Sequence, residues 1–289
     1  MRLGLSSYTY PWAVGVPGYP PAEPLTALAL LDRAIEQNVT AVQFGDNLPL
    51  HTLPAADWHS LRERAARHQI QLEVGMRGLT AANLKTYIRL AWEARSPFLR
   101  VVIDDAGYEP GVDEIITLIN DALPILQRAG VILAIENHDR LRAETLKRIA
   151  LQTSLNWVGF CVDTTNSLGG GETVAEVLHA LGGTMIVNLH IKDFSIRRVP
   201  TKMGFVVEGC EPGTGLLRPD ALLNSAFYRT AGLYDRRTYS LNGKPQPVTL
   251  TLEQWPPFQN TLEETISMEV RWAETGLRWL QKLLNSDSQ

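Results

Sequence analysis

Residues 131–138 read VILAIENH, and this stretch decides the fold. Five apolar residues in a row, VILAI, are typical of a strand that is buried on both of its faces. The run is followed directly by Glu136, so that a charged group lies at the carboxyl end of the strand. Strands buried on both faces belong to parallel sheets that are covered by helices, and such sheets carry their chemistry at the carboxyl ends of the strands.

The same pattern extends in both directions along the chain, as short apolar runs that alternate with longer amphipathic stretches. The pattern predicts eight strands, at 3–7, 41–44, 70–74, 99–103, 131–135, 158–162, 185–189 and 249–252. It predicts helices at 24–37, 55–68, 81–95, 113–128, 141–151, 173–181, 220–227 and 262–284. Eight strand–helix units without a compositional break predict a single (β/α)8 TIM barrel over residues 1–289.

Two features qualify this prediction. A doubly wound open sheet is the alternative fold, but the phosphate-binding sequence G-x-G-x-x-G is missing after the first strand. Between the seventh and eighth strands, residues 197–248 hold one short predicted helix and several Gly and Pro residues. We therefore expect a long loop region there, lying over the mouth of the barrel.

The composition excludes several classes of protein. The chain is 45% hydrophobic and 20% charged, so a large core is available and global disorder is excluded. The net charge of −4 argues against nucleic acid and anionic membranes as partners. The two cysteines, Cys161 and Cys210, cannot form a disulfide framework. With no signal peptide and no long apolar segment, the sequence predicts a cytoplasmic protein.

Four consecutive predicted strands end in a residue that can bind a metal ion. These residues are Glu136, Asp163, His190 and Glu253. One acidic residue after a strand is more often a solvated turn residue or a helix cap, but four in succession are hard to attribute to chance. Because the carboxyl ends of barrel strands converge, we expect a shared site. Three carboxylates and one imidazole favour Mn²⁺ or Mg²⁺, with Zn²⁺ and Co²⁺ as alternatives.

The residues around these strand ends carry a resemblance to a known family. The motifs are Glu136-Asn137-His138, Asp163 with Asn166, His190-Ile191-Lys192-Asp193 and the late Glu253. Together they resemble the sugar phosphate isomerase/epimerase family of xylose isomerase-like TIM barrels. The resemblance implies metal binding by Glu136, Asp163, His190 and Glu253. It also implies that Glu136 and Glu253 are the catalytic acid/base pair, on opposite faces of the substrate.

The activity that follows from the resemblance is the isomerisation or epimerisation of a small sugar, keto-sugar or cyclitol by proton transfer through a metal-bound enediolate. The alternative is a metal-dependent dehydratase or lyase acting on an inosose or keto-sugar. Two departures put simple ketose 3-epimerisation in doubt. Ketose 3-epimerases have a histidine where this chain has Asn166 and a glutamate where it has Arg142.

Two further classes of function are less favoured. A nucleic-acid phosphodiesterase of the same superfamily would need more metal-binding histidines and a basic surface, which the charge of −4 disfavours. A sugar sensor that only binds would not need two glutamates for proton transfer. We therefore expect a small-molecule sugar or polyol as the binding partner, and a homo-oligomer is compatible with a barrel of this type.

Five residues are predicted to bind substrate: His138, Lys192, Asn166, Arg198 and Trp12. Lys192 follows His190 by two positions, which in a strand returns the side chain to the same side. We expect it to hold an anionic oxygen, the alternative being a salt bridge with Asp193. His138 follows Glu136 by two positions, Arg198 lies in the loop region at the mouth, and Trp12 follows the first strand, where an aromatic ring could stack on a sugar.

Overall fold

The computed structural model describes residues 1–218 and 238–286 of the chain, and its centre is a closed barrel of eight parallel strands. The barrel strands are β1 (Arg2–Ser6), β2 (Ala41–Phe44), β3 (Gln71–Arg77), β4 (Phe98–Val102), β5 (Ile132–Glu136), β6 (Val158–Asp163), β7 (Ile186–Ile191) and β12 (Thr249–Leu252). Neighbours in the barrel follow the order of the chain, and β12 closes the ring by pairing with β1 and β7. The predicted TIM barrel is confirmed.

The described helices alternate with the barrel strands, and the last helix follows the last strand. They are α1 (Pro11–Val14), α2 (Ala27–Glu36), α3 (Ala55–Arg67), α4 (Ala81–Glu93), α5 (Val112–Ala129), α6 (Ala143–Gln152), α7 (Val174–Ala180) and α8 (Leu262–Ser286). The start of α2 is three residues later than predicted because the side chain of Thr26 caps it by accepting from the backbone N–H of Ala29. The predicted helix at 220–227 lies outside the described residues. None of the described helices is long and apolar enough to cross a membrane.

The region between β7 and β12 contains two β-hairpins that the sequence analysis did not predict. The first pairs β8 (Phe194–Arg198) with β9 (Phe205–Gly209), and the second pairs β10 (Thr238–Leu241) with β11 (Lys244–Pro247). A signal for the second hairpin was present in the sequence. Asn242 and Gly243 form its two-residue turn, and both have positive φ angles, as a type I′ turn requires.

The interior of the barrel is not uniformly apolar. A layer of fully buried polar side chains crosses it below the mouth, made of Gln43, Glu73, Asn188, Thr249 and Thr251. Buried polar groups are tolerated where they bond to one another, and these side chains do so across four strands. Gln43 of this layer also contacts His190 at the mouth.

Candidate metal centre and active site

The four residues predicted as metal ligands meet at the mouth of the barrel. Glu136 ends β5, Asp163 ends β6, His190 lies in β7, and Glu253 directly follows β12. Nδ1 of His190 lies 3.3 Å from Oε1 of Glu253, 3.5 Å from Oε2 of Glu136 and 3.8 Å from Oδ2 of Asp163. All four side chains are buried. Closure of the barrel therefore places three carboxylates around one imidazole nitrogen.

The donor atoms of this cluster fit a divalent cation. Nδ1 of His190 is buried and makes no hydrogen bond with any described residue, whereas Nε2 lies 2.7 Å from Oε1 of Gln43. Three potential ligand atoms lie within 4.8 Å of one another, one each from Asp163, His190 and Glu253. A buried nitrogen that faces three carboxylates without a hydrogen bond is well placed to coordinate an ion.

Asp163 is held in place by the chain that follows it. Its Oδ1 accepts hydrogen bonds from the backbone N–H groups of Thr165 and Asn166, each at 2.8 Å. Its Oδ2 lies 2.9 Å from Nζ of Lys192. Burial opposes ionisation of this carboxyl, but the charge of Lys192 and these hydrogen bonds outweigh it and lower its pKa to about 2. Asp163 is therefore an anion at neutral pH.

Glu136 is fixed by two donors, one on each carboxylate oxygen. Nε of Arg100 donates to Oε2, and Nδ2 of Asn166 donates to Oε1 at 2.8 Å. Arg100 also donates to Oδ1 of Asp46 at 3.0 Å, and Arg77 donates to Oδ2 of Asp46 at 2.8 Å. Burial disfavours the charged form of Asp46, yet the two guanidinium groups hold its pKa well below its usual range.

Sequence reasoning missed Arg100 and Asp46, although a signal for Arg100 existed. Arg100 lies in the middle of β4, whose sequence FLRVV is otherwise apolar and entirely buried. A buried arginine requires an acidic partner, so its position in this strand indicated a charge network. Asp46 lies beyond the end of β2 and gave no signal of its own, because the two arginines that bind it belong to other strands.

Lys192 connects the cluster to an aromatic side chain. Its Nζ lies 2.9 Å from Asp163, 3.2 Å from Oε2 of Glu253 and 4.6 Å from the ring centroid of Trp255. Burial favours the neutral amine, but the carboxylates of Asp163 and Glu253 outweigh burial and raise the pKa of Lys192 above its usual value. Lys192 is not paired with Asp193, because the carboxylate of Asp193 accepts from four backbone N–H groups, those of residues 194, 213, 215 and 217.

A cavity of about 510 Å³ opens above the cluster at the barrel mouth. Three predicted substrate-binding residues, His138, Asn166 and Lys192, line it, together with Arg77 and Trp255 among others. The side chain of His138 is 35% exposed, and its Nδ1 lies 3.5 Å from a carboxylate oxygen of the adjacent Asp139. The cavity therefore combines a buried charged floor with an accessible imidazole at its rim.

The other two predicted substrate-binding residues, Trp12 and Arg198, do not line the cavity formed by the described residues. The indole Nε1 of Trp12 donates to the carbonyl of Pro256 at 2.7 Å, and its ring packs on Phe258. The guanidinium of Arg198 lies on β8, 4.4 Å from the ring centroid of Phe205. A substrate contact by either residue stays a prediction.

Comparison with known proteins gives the following relatives. A family model described as xylose isomerase-like TIM barrel matches residues 31–224. A 3-oxo-isoapionate decarboxylase from Pectobacterium atrosepticum is 30% identical over 282 residues, which cover 97% of this chain and 95% of the relative. A D-psicose 3-epimerase from Clostridium cellulolyticum H10, crystallised with D-tagatose, is 12% identical with a TM-score of 0.67 and covers 98% and 99% of the two chains. The IOLI protein, crystallised with a zinc atom, is 16% identical with a TM-score of 0.64, covering 96% and 98%.

Proposed function

Since the chain belongs to the xylose isomerase-like TIM barrel family, as its strand-end motifs predict, we propose that it is a divalent-metal-dependent lyase that removes CO₂ from a 3-oxo sugar acid. The 30% identity with a 3-oxo-isoapionate decarboxylase supports this reaction, because it extends over nearly the whole length of both chains. The observation that carries the proposal is the pairing of both candidate acid/base glutamates with cations, Glu136 with Arg100 and Glu253 with Lys192.

This pairing favours decarboxylation over abstraction of a proton from carbon. Both oxygens of Glu136 accept hydrogen bonds, one of them from a guanidinium, so both are already engaged by donors and are less available to take a proton from carbon. Loss of CO₂ needs no carboxylate base. It needs positive charge near the oxygen where negative charge develops, and one group that delivers a proton to carbon. The site offers both.

The charge balance of the site also suits an anionic substrate. Counted as ionised, the network has four acidic side chains and three cationic ones, a net charge of −1: Asp46, Glu136, Asp163 and Glu253 against Arg77, Arg100 and Lys192. A bound divalent cation would change the charge of this network to +1, while Asp139 lies outside the network at the rim, beside His138. A neutral sugar would not use this charge.

In this mechanism Glu136, Asp163, His190 and Glu253 would hold the metal ion. When bound, the ion supplies Lewis acidity towards the keto oxygen of the substrate. Cleavage of the bond between the carboxyl carbon and the α carbon releases CO₂ and leaves the electron pair as an enolate. Lys192, kept protonated by its carboxylate neighbours, donates a hydrogen bond to the oxyanion that develops.

The released electron pair must finally be protonated at carbon. His138 is the group that we assign to this step, because it lines the cavity and is accessible to solvent, from which it can be reprotonated. One proton is consumed for each CO₂ that leaves, so a neutral ketone is the product. Asn166 bonds to Glu136 and approaches Lys192 at 3.4 Å, and it orients both groups below the substrate.

The second candidate function is the isomerisation or epimerisation that the sequence predicts, with Glu136 and Glu253 as acid and base. One observation favours it. Both carboxylates approach the same atom, Nδ1 of His190, at 3.5 and 3.3 Å, and could therefore flank a common substrate. The enolate chemistry is shared by the two candidates, and they differ in whether a carboxylate or a proton leaves the α carbon.

The test is incubation of the Mn²⁺-loaded protein with a 3-oxo sugar acid such as 3-oxo-isoapionate in D₂O. We expect release of one CO₂ and one deuterium on the α carbon of the product, measured by mass spectrometry. Asp163→Asn, which weakens the metal centre, should abolish both. A product of unchanged mass apart from deuterium would contradict the lyase and favour the isomerase, and loss of water would favour a dehydratase.

A further inference from the structure

Below the metal ligands, a chain of buried hydrogen bonds links the backbone of β12 to the ring of His190. We propose that Gln43 is a positioning residue that places the ring proton of His190 on Nε2 and so leaves Nδ1 as the metal-binding atom. This inference rests on the proposed role of His190 as a ligand. The chain of hydrogen bonds begins at a backbone carbonyl, whose role as an acceptor is fixed, and each side chain along it orients the next.

The first step fixes the orientation of the Asn188 amide. Its Nδ2 lies 3.1 Å from the backbone carbonyl oxygen of Thr249 and 2.8 Å from Oγ1 of Thr251. A carbonyl oxygen can only accept, so the amide nitrogen must face it. Oδ1 of Asn188 therefore points to the opposite side as an acceptor, where Sγ of Cys161 donates to it at 3.0 Å.

The second step fixes the orientation of the Gln43 amide. Its nitrogen lies 3.4 Å from Oδ1 of Asn188 and 3.3 Å from Oε2 of Glu73. Both are acceptors, so the reverse orientation would place an amide oxygen against two other oxygens. The other oxygen of Glu73 bonds to the hydroxyl of Thr249 at 2.6 Å. A proton on that oxygen would leave Oε2 as an acceptor, and Oδ1 of Asn188 is an acceptor whatever the charge of Glu73.

The third step fixes the ring of His190. Oε1 of Gln43 lies 2.7 Å from Nε2 and can only accept, and Sγ of Cys161, 3.2 Å from Nε2, already donates to Asn188, so Nε2 carries the proton. In the neutral imidazole the lone pair then lies on Nδ1, the atom that faces the three carboxylates. Gln43, Glu73, Asn188 and His190 are all buried, so bulk water does not compete for these hydrogen bonds. Partners of this kind orient a histidine ligand and raise its affinity for the ion.

The sequence offers a substitution that separates this role from a merely structural one. The double variant Gln43→Glu/Glu73→Gln exchanges the two side chains and conserves the net charge. A carboxylate at 43 would still accept from Nε2 of His190, and an amide at 73 could donate to it while accepting from Thr249. Gln43→Met removes the acceptor at similar volume. Glu269→Gln is the matched control, because Glu269 is an equally buried glutamate that bonds to the backbone N–H groups of residues 12 and 13.

The experiment measures the dissociation constant of Mn²⁺ by calorimetry on metal-free protein, with the melting temperature recorded for each variant. We expect Gln43→Met to weaken Mn²⁺ binding about 10- to 100-fold, the range found when partners of metal-binding histidines are removed. The exchanged double variant should recover part of this loss, because its carboxylate accepts from Nε2 but also faces Oδ1 of Asn188, and Glu269→Gln should bind as the wild type does. The ¹⁵N shifts of the His190 ring in metal-free wild-type protein should show a proton on Nε2.

The outcomes are distinguishable. Unchanged Mn²⁺ affinity in Gln43→Met, or a double variant at least as weak as Gln43→Met, would overturn the role of Gln43. An unprotonated Nε2 in the wild type would overturn it as well. If the wild type binds no Mn²⁺, the proposed function fails, but the ring ¹⁵N shifts still test the role of Gln43. The role is supported if Nε2 of His190 carries a proton in the wild type and loses it in Gln43→Met.

Discussion

Arg100→Met tests the charge network that holds the candidate active site together. The guanidinium of Arg100 is 3% exposed and pairs with two carboxylates, Glu136 and Asp46. Methionine fills much of the same volume but carries no charge. In the variant, the amide of Asn166 would be the one hydrogen-bond donor left to Glu136 among the described residues, and Asp46 would keep its hydrogen bonds from Arg77 and Tyr8.

The expected loss follows from burial. Removal of one partner from a buried ion pair leaves an uncompensated buried charge, and the free energy of unfolding should fall by about 3–5 kcal/mol. The matched control is Arg64→Met, which breaks a pair of 2.6 Å with Asp32 whose side chains are 43% and 36% exposed. Exposed pairs of this kind contribute less than about 1 kcal/mol. The two variants remove the same charge from the chain, so the difference between them reports burial.

The assay is urea unfolding followed by circular dichroism, with and without Mn²⁺. We expect Arg100→Met to lose several times more stability than Arg64→Met in metal-free protein. Mn²⁺ should reduce the difference, because a cation bound beside Glu136 would restore part of the missing positive charge. Equal losses in the two variants would refute the assignment of a buried network, and an unchanged difference in saturating Mn²⁺ would contradict the position of the metal centre.

Three other predictions address the charge, the reaction and the packing. Burial raises the pKa of Glu269 to about 8 from 4.5, so the free energy of unfolding should fall by up to about 1.4 kcal/mol per pH unit as the pH rises between these values. Urea titrations at several pH values should show a flatter decline for Glu269→Gln, and an unaltered slope would contradict the shift. Lys192→Met should lower kcat/KM for the 3-oxo acid at least about 100-fold, and near-normal CO₂ release would exclude its role at the oxyanion. Gly209→Ala should lower the free energy of unfolding by about 1–3 kcal/mol, because a Cβ at this position meets the carbonyl of Trp255. A melting temperature equal to that of the wild type would contradict this close approach.

The strands of the barrel could be predicted from the sequence where their burial is complete. The sequence predicts strand β5 at 131–135, and the strand occupies Ile132–Glu136. The prediction succeeds because a strand with a continuous apolar run is stable where both of its faces are covered. The hairpin strand β8, with the sequence FSIRR, is mostly exposed and carries no such run. Its pairing with β9 depends on contacts within a region rich in Gly and Pro, which the sequence analysis predicted as loop.

The residues of the candidate site also divide into those that the sequence predicts and those that it does not. The positions of Glu136, Asp163, His190 and Glu253 could be predicted because the topology of a parallel barrel brings all strand ends to one rim. Lys192 and Asn166 were predicted at the same rim, but the partners that lie deeper in the barrel or on other loops could not be identified. Gln43 contacts His190 across 147 positions of the chain, and this contact exists only when the barrel is closed. A glutamine within the short strand AVQF gives no indication of which side chain it will meet.

The central claim is that Glu136, Asp163, His190 and Glu253 together bind one divalent cation at the mouth of the barrel. It is tested most directly by a crystal structure of the protein with Mn²⁺, with anomalous diffraction data collected to locate the ion. The account predicts a single strong anomalous peak at the barrel mouth, about 2.0–2.3 Å from Nδ1 of His190 and from oxygens of the three carboxylates. A barrel mouth without such a peak at saturating Mn²⁺, or an ion bound elsewhere with Nδ1 uncoordinated, would contradict it.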